Sequence, residues 1–373
     1  MRTLRRHLKH LRLYRRKNQT DLLEVALFLM NELDRYGKLH GYKLLHLKCI
    51  QAGFVVSQRI IRHLLGILDP DGVQMRRRNR LRRRMYVNPG PNFIWHMDSY
   101  DKLKPFGICI NGAIDGFYRM VIWLHAYSTN SDPKVIASYF INEVGQRMGT
   151  PARMRSDLGT ENCYVEQMQK FLRYDDHDEY AENCFIYGSS NHNQRIESWW
   201  AFMRKQHAQY WINRFQDLKE KDYFTGGFLD KQLILFTCLN IIEEELQQVL
   251  HLWNTHRIRR CRNAVAPNGR PLMMYHLPQL FGARDYLKPV SQEAVEACRE
   301  ECLQRGPYSC DETVFTLSCL LMEENHLHPP TTPDEAIELY LFLKVLLCWH
   351  GGHTQTIQKI QQFIFVISKE IFF

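Results

Sequence analysis

From Phe93 onward the chain spells out one order of elements, and few folds accommodate it. Runs rich in apolar and aromatic residues at Phe93–Tyr100, Gly107–Ile114 and Tyr118–Tyr127 read as three strands. Asp115-Gly116 is a two-residue hairpin signal between the second and third. A helix is expected over about Pro133–Met148, capped by Asp132, then a short strand at Ala152–Ser156. A further helix at about Asn162–Arg173 leads through an acidic loop (Tyr174–Glu182) to a strand at Cys184–Tyr187 and a long helix from Asn193. Strands joined by tight turns form an antiparallel meander. Strands that then alternate with helices continue the sheet in parallel, because a parallel crossover needs the length of a helix. The fold class is therefore α/β, a mixed five-stranded sheet with flanking helices.

What precedes this block is all-α. Residues 20–68, within a module of residues 20–72, read as three short helices: one from Thr20, an N-cap candidate, to Gly37; one over Tyr42–Gln51; and one from a second cap candidate, Ser57. The third places Ile60, Ile61, Leu64 and Leu65 on one face and Gln58, Arg59, Arg62 and His63 on the other. Two helices joined by a Gly-containing turn, the second with a basic face, suit a helix-turn-helix that reads DNA. A plain three-helix module that uses those residues for solubility is the alternative. Residues 1–19 form a basic arm, and residues 73–91 form an Arg-rich linker closed by Pro89-Gly90-Pro91. Within it Arg76, Arg77, Arg78, Arg80, Arg82, Arg83 and Arg84 occupy seven of nine positions, which suits an extended arm that neutralises phosphates, a nuclear localisation signal, or both. A nuclear location is expected on that ground.

Charge is divided as sharply as structure. Residues 1–90 hold 21 Lys+Arg against 6 Asp+Glu, while the whole chain carries only +9, so everything after residue 90 is net acidic. The grip on a polyanion belongs at the N-terminal end. The eleven cysteines include no C-x-x-C, Cys298 and Cys302 lack partners at zinc-ligand spacing, and His7 and His10 sit in the basic arm without a following Cys pair, so no structural zinc is expected. No apolar run approaches the ~20 residues of a membrane span, and no signal-peptide core follows the basic N-terminus, so neither a membrane association nor a secretory signal is expected.

Chemistry enters with the acids. Phosphodiester transfer by two divalent ions needs several carboxylates converging on one point, since the ions lie only ~4 Å apart. Two acids at the ends of neighbouring strands and a third on a facing helix supply that arrangement. Asp98 lies in the first strand, Asp157 at the end of the fourth and Glu197 near the start of the late helix. Taken singly, each could serve as an ordinary turn, cap or dipole residue. Asp115 is better read as hairpin-turn chemistry, and Asp101 and Glu161 as caps or surface residues. On the late helix, Arg195, Arg204 and Lys205 are candidates for phosphate contact. His192, Asn193 and Gln194 either touch phosphate or only cap the helix. Of Trp199 and Trp200, one is expected in the core and the other partly exposed.

The local contexts carry a family resemblance. Trp95-His96-Met97-Asp98 resembles the W-x-x-D strand that opens integrase catalytic cores, and Ser156-Asp157-Leu158-Gly159-Thr160-Glu161-Asn162 resembles their S-D-x-G-x-E segment. Asn193-Gln194-Arg195-Ile196-Glu197-Ser198 is similar to the helix start that supplies the glutamate. Asp115-Gly116-Phe117-Tyr118-Arg119 is similar to a D-x-x-S-R hairpin, with Tyr118 where Ser is usual. Trp253-Asn254-Thr255-His256-Arg257, followed by Pro267, Gly269 and Pro271, resembles the close of such domains. The likeness covers roughly residues 20–280 and is nearest to an integrase-core family of animal genomes derived from mobile elements.

That resemblance implies an RNase H-like fold over residues 92–282, use of two Mg2+ or Mn2+ ions held by Asp98, Asp157 and Glu197, DNA strand cleavage and transfer, and action as a homo-oligomer. A domesticated DNA- or chromatin-binding protein that keeps the fold without the reaction is the alternative, and a nuclease that only hydrolyses is a third. The 39 residues between Asp157 and Glu197 exceed the family's usual spacing, and the acidic loop absorbs the excess. The zinc module of retroviral integrases is absent. Residues 283–373 are expected to form a helical C-terminal region without a recognisable DNA-binding barrel, Thr332-Pro333-Asp334-Glu335 being a good helix start.

Overall fold

The computed structural model describes residues 19–77, 88–188, 193–259 and 268–349, together with Arg6 and His10. Most of the basic arm, Arg78, Arg80, Arg82, Arg83, Arg84, His192, Pro267 and the tail from residue 350 lie outside these residues. The chain divides into two compact units, one of residues 1–83 with 204–210 and one of residues 84–203 with 211–373.

In the first unit, helices α1 (Leu22–Leu33), α2 (Tyr42–Gln51) and α3 (Gln58–Leu68) enclose a small core of Val25, Leu29, Leu33, Leu45, Cys49, Ile61 and Leu65. Ser57 caps α3, its hydroxyl accepting from the Ile60 N–H at 3.3 Å. Thr20 does not cap α1; it ties itself to Val55, donating its N–H to the Val55 carbonyl and accepting the Val55 N–H on its hydroxyl. The first helix also stops at Leu33, short of Gly37, and a 3-10 turn follows at Tyr36–Leu39. The reason is local: the Lys48 ammonium, buried from α2, bonds both Glu32 and the Tyr36 hydroxyl, which draws the chain across α2. A fourth helix, α4 (Pro70–Arg77), starts where Asp69 accepts the Gly72 N–H at 3.1 Å. The first two arginines of the basic block, Arg76 and Arg77, thus end a helix, where an extended arm was expected.

The second unit is built on a sheet. Its strands are β1 (Ile94–Tyr100), β2 (Cys109–Asp115), β3 (Val121–Tyr127), β5 (Arg153–Ser156) and β6 (Phe185–Tyr187), in the order β3-β2-β1-β5-β6; a two-residue strand β4 (Gly149–Thr150) pairs separately with β7 (Lys288–Pro289). β1–β2 and β2–β3 are antiparallel, whereas β1–β5 and β5–β6 are parallel. A mixed sheet of this order with flanking helices is the RNase H-like fold. The turn from β2 to β3 is longer than the Asp115-Gly116 signal predicts, because the buried Asp115 carboxylate accepts the N–H groups of Phe117 and Tyr118 and holds a wider loop. Arg119 in that loop takes a left-handed φ of 61°.

Side chains alternate across β1. Trp95 and Met97 point into the main core, with α5 (Pro133–Arg147) and α6 (Cys163–Leu172) packed on that face. His96, Asp98 and Tyr100 therefore face the other way, where α7 (Gln194–Met203) packs on β1 and β2. α7 runs into a π-helical stretch (Arg204–Ala208) and α8 (Gln209–Glu220). The long α9 (Phe228–Thr255) covers β3. A short α10 (Pro271–His276) contributes Met274 and Tyr275 to the main core, as α11 (Gln292–Glu300) contributes Val295 and Cys298. α12 (Glu312–Glu324) and α13 (Pro333–Trp349) pack on α9, so the region after residue 283 is helical as expected and shares the core. Lys344 of α13 is buried against Asp230 at 2.6 Å and the Tyr223 carbonyl at 2.7 Å. Among the described residues no helix is long and apolar enough to cross a membrane.

Candidate functional site

β1 and β5 pair in parallel with Ile94 opposite Arg153, Trp95 opposite Met154 and His96 opposite Arg155. The pairing stops there: β5 ends at Ser156, Asp157 follows it, and Asp98 lies two residues beyond the last residue of β1 in this pairing. Glu197 stands on α7, which packs over β1 and β2, and its side chain is exposed. Among the described residues no three His, Cys, Asp or Glu side chains are drawn together tightly enough to hold an ion as they stand. The charges nonetheless act on one another. Burial first, with the negative charges of Asp157 and Glu197, raises the Asp98 carboxyl to about 7 against the opposing hydrogen bonds from Trp200 and the Ser99 N–H.

The Trp200 bond was not anticipated. Its indole N–H donates to Asp98 Oδ2 at 2.9 Å. Both Trp199 and Trp200 are buried, at 2% and 4% exposure, which corrects the expectation that one of them would be partly open. Room for Trp200 comes from Gly112, the residue opposite Asp98 on β2; a Cβ there would stand 3.0 Å from the Trp200 ring. Tyr100 closes the other side, ring centroids 5.4 Å apart. A sequence signal existed: Trp200 follows Glu197 by three residues and so shares its helical face.

Asp157 has a similar partner. Asn162 Nδ2 donates to Asp157 Oδ1 at 3.2 Å. Nothing in periodicity marks Asn162, because a 3-10 turn at Thr160–Asn162 places it. Glu161 is partly exposed and folds back over Gly159. Asp101 accepts from Asn130 and pairs with Lys104 at 3.6 Å, a local structural role.

Asn193 fastens α7 to β1. Its Oδ1 accepts from His96 Nδ1 at 2.7 Å and its Nδ2 donates to the Met97 carbonyl at 2.9 Å, while its own carbonyl accepts the Glu197 N–H. Burial drives the His96 imidazole down to about 3, Arg155 and Arg195 push the same way, and the Asn193 bond opposes. His96 is consequently a neutral strut. The acidic loop is equally ordered: Arg173, fully buried, bonds the Ala152 carbonyl, Asp176 and both oxygens of Asp178.

The basic candidates are scattered. Arg59 and Arg62 are exposed on α3, beside exposed Gln58 and His63 and opposite buried Ile61 and Leu65. Ile60 and Leu64, assigned to the apolar face, are only partly covered and line a shallow hollow with Leu22, Arg59, Arg62 and His63. Arg195 donates from Nε to the Gly116 carbonyl at 2.9 Å and so braces the β2–β3 loop. Arg204 and Lys205 are exposed, but they lie in the π-helical stretch and belong to the first compact unit, not to the helix that carries Glu197. Farther along, Trp253 Nε1 bonds the Arg119 carbonyl at 2.6 Å and the Asn254 amide brackets Val121 through both its N–H and its carbonyl. That motif is structural, pinning α9 to the start of β3.

A family model of the integrase core domain matches residues 85–275. The chain belongs to the integrase core domain family. No curated protein matches it. The matched span holds every element of the integrase core's five-stranded sheet and all three carboxylates, and it reaches α10, whose Met274 and Tyr275 complete the core beneath the sheet. The integrase core thus accounts for the site's scaffold and leaves the helices before residue 85 and after residue 275 as this chain's own surroundings.

Proposed function

We propose that the protein is a DNA-binding polynucleotidyl transferase of the integrase and DDE-transposase kind, with Asp98, Asp157 and Glu197 as its metal-binding carboxylates. The observation that carries the proposal is the parallel β1–β5 pairing, which ends just before Asp98 and Asp157, together with the charges of Asp157 and of Glu197, on the helix packed over β1 and β2, that act on Asp98. The donor set suits Mg2+ or Mn2+, hard cations that take carboxylate oxygens. A cation beside Asp98 would also relieve the repulsion from Asp157 and Glu197 that raises its carboxyl. Asp98 and Asp157 would hold one ion jointly and Glu197 would complete a second site. When bound, such ions activate a water or a 3′-hydroxyl and stabilise the departing oxyanion.

The chain's own part is to orient and to grip. Trp200 and Asn193 fix Asp98 and the α7 start, while Arg59, Arg62, Arg204, Lys205 and the arginines of 76–84 would hold DNA by its phosphates in a salt-dependent way. Action as a homo-oligomer in the nucleus, addressed there by the arginine block, belongs to the same reading. Asp157→Asn should abolish metal-dependent nicking of a DNA substrate, a loss of at least ~100-fold, while leaving DNA affinity unchanged. Nicking at the parent's rate by the variant rules the assignment out.

Glu197's exposure favours a second reading, a DNA-binding descendant that keeps the fold without the reaction. It requires no Mn2+ binding at Asp98 and Asp157, and a pre-cleaved end bearing a 3′-hydroxyl would stay unjoined to target DNA.

A further inference from the structure

Asp98 and Asp157 share a feature: each has one oxygen engaged by a neutral, buried side-chain N–H donor. For Asp98 the side-chain donor is the Trp200 indole at 2.9 Å, beside the Ser99 backbone N–H, and for Asp157 it is the Asn162 amide at 3.2 Å. Neither donor carries charge, so neither competes with a cation for the carboxylate as a lysine or arginine would. Both are immobile. Trp200 is buried between Gly112 and Tyr100, and Asn162 is 3% exposed. A carboxylate held by one oxygen cannot spin freely about its terminal bond, so its other oxygen is presented in a fixed direction.

We infer that Trp200 is a positioning residue that fixes Asp98 as a metal ligand, and that Asn162 does the same for Asp157. The inference rests on the metal-site reading given above and deepens it. Trp200 has the further property of riding on α7 one turn after Glu197, so the same helix that brings the glutamate also sets the orientation of Asp98. Gly112 belongs to this device, because any side chain there would push the indole away from the strand. Neighbouring partners of this kind typically govern metal affinity by about 10- to 100-fold when removed.

The test is Mn2+ binding to the full chain, followed by the loss of the free-ion electron paramagnetic resonance signal, for the parent, Asp98→Asn, Trp200→Phe and Asn162→Ala. Thermal midpoints are recorded alongside. Phenylalanine keeps an aromatic ring but loses the N–H together with part of the indole that lies over Gly112, so the midpoint reads the lost packing and the Mn2+ affinity reads the lost bond. The expected result is that Asp98→Asn abolishes binding, while Trp200→Phe and Asn162→Ala each weaken it by about 10- to 100-fold with midpoints within a few degrees of the parent. Parent-like Mn2+ affinity in Trp200→Phe and Asn162→Ala, with Asp98→Asn failing to bind, overturns the positioning roles and leaves the metal site standing. Parent-like affinity in Asp98→Asn overturns the site itself. Should Trp200→Phe not fold, benzothienylalanine at position 200 replaces the N–H by sulfur with the ring shape kept, and the same two outcomes decide.

Discussion

At the scale of single residues, Asp98 is where the site's chemistry is concentrated. Its carboxyl is raised to about 7, first by burial and then by the charges of Asp157 and Glu197. Because a divalent ion takes the ionised form, Mn2+ affinity should strengthen as pH rises toward 7 and level off above it. Without the ion the sign reverses. The folded protein holds this proton more tightly than the unfolded chain, so the stability Asp98 contributes is fully present below ~4 and is lost as pH climbs through about 7. Asp115 is raised to about 7 as well and shares that direction. Thermal midpoints of ion-free Asp98→Asn should therefore decline less than the parent's between pH 4 and 8, with Asp115 accounting for a remaining slope. Identical slopes in the two proteins would mean that Asp98 does not titrate in this range.

Elements turn those residues into a site. α7 is held on β1 by the Asn193 side chain, which satisfies both His96 and the Met97 carbonyl. Asn193→Ala leaves two buried groups without that partner, and a loss of about 1–3 kcal/mol in urea unfolding is expected. An unchanged midpoint would show that α7 is held by packing alone. The five strands, their order and the helices between them were legible in the sequence, because period-2 and period-3.6 apolar patterns depend only on which face is buried. The strand placement of Asp98 and Asp157 was legible for the same reason, Asp98 falling inside β1 and Asp157 directly after β5. Trp200's role was not, since it depends on the absence of a side chain at Gly112, nearly ninety positions earlier. The length of the β2–β3 loop also escaped, because the buried Asp115 carboxylate and not the Asp-Gly pair sets it. Arg204 and Lys205 were read as continuing the Glu197 helix, whereas the chain turns π-helical at Arg204 and joins the other unit.

For the whole molecule, charge and chemistry are divided along the chain. Residues 1–90 carry 21 of the 49 Lys+Arg, and the carboxylates of the site follow in a region of net negative charge. Acidic oxygens near one another repel a polyanion unless cations stand between them, so a basic grip at one end and a cation-holding site at the other are complementary requirements for acting on DNA. The integrase core supplies the sheet that carries Asp98 on β1 and leads from β5 into Asp157, and everything proposed for the protein depends on that pair holding ions. The most direct measurement is anomalous scattering from crystals of the full chain soaked in Mn2+. Two peaks about 4 Å apart are predicted, one bridging Asp98 and Asp157 and the other reached by Glu197. Crystals in which no manganese peak lies within coordinating distance of Asp98 or Asp157 would contradict the account.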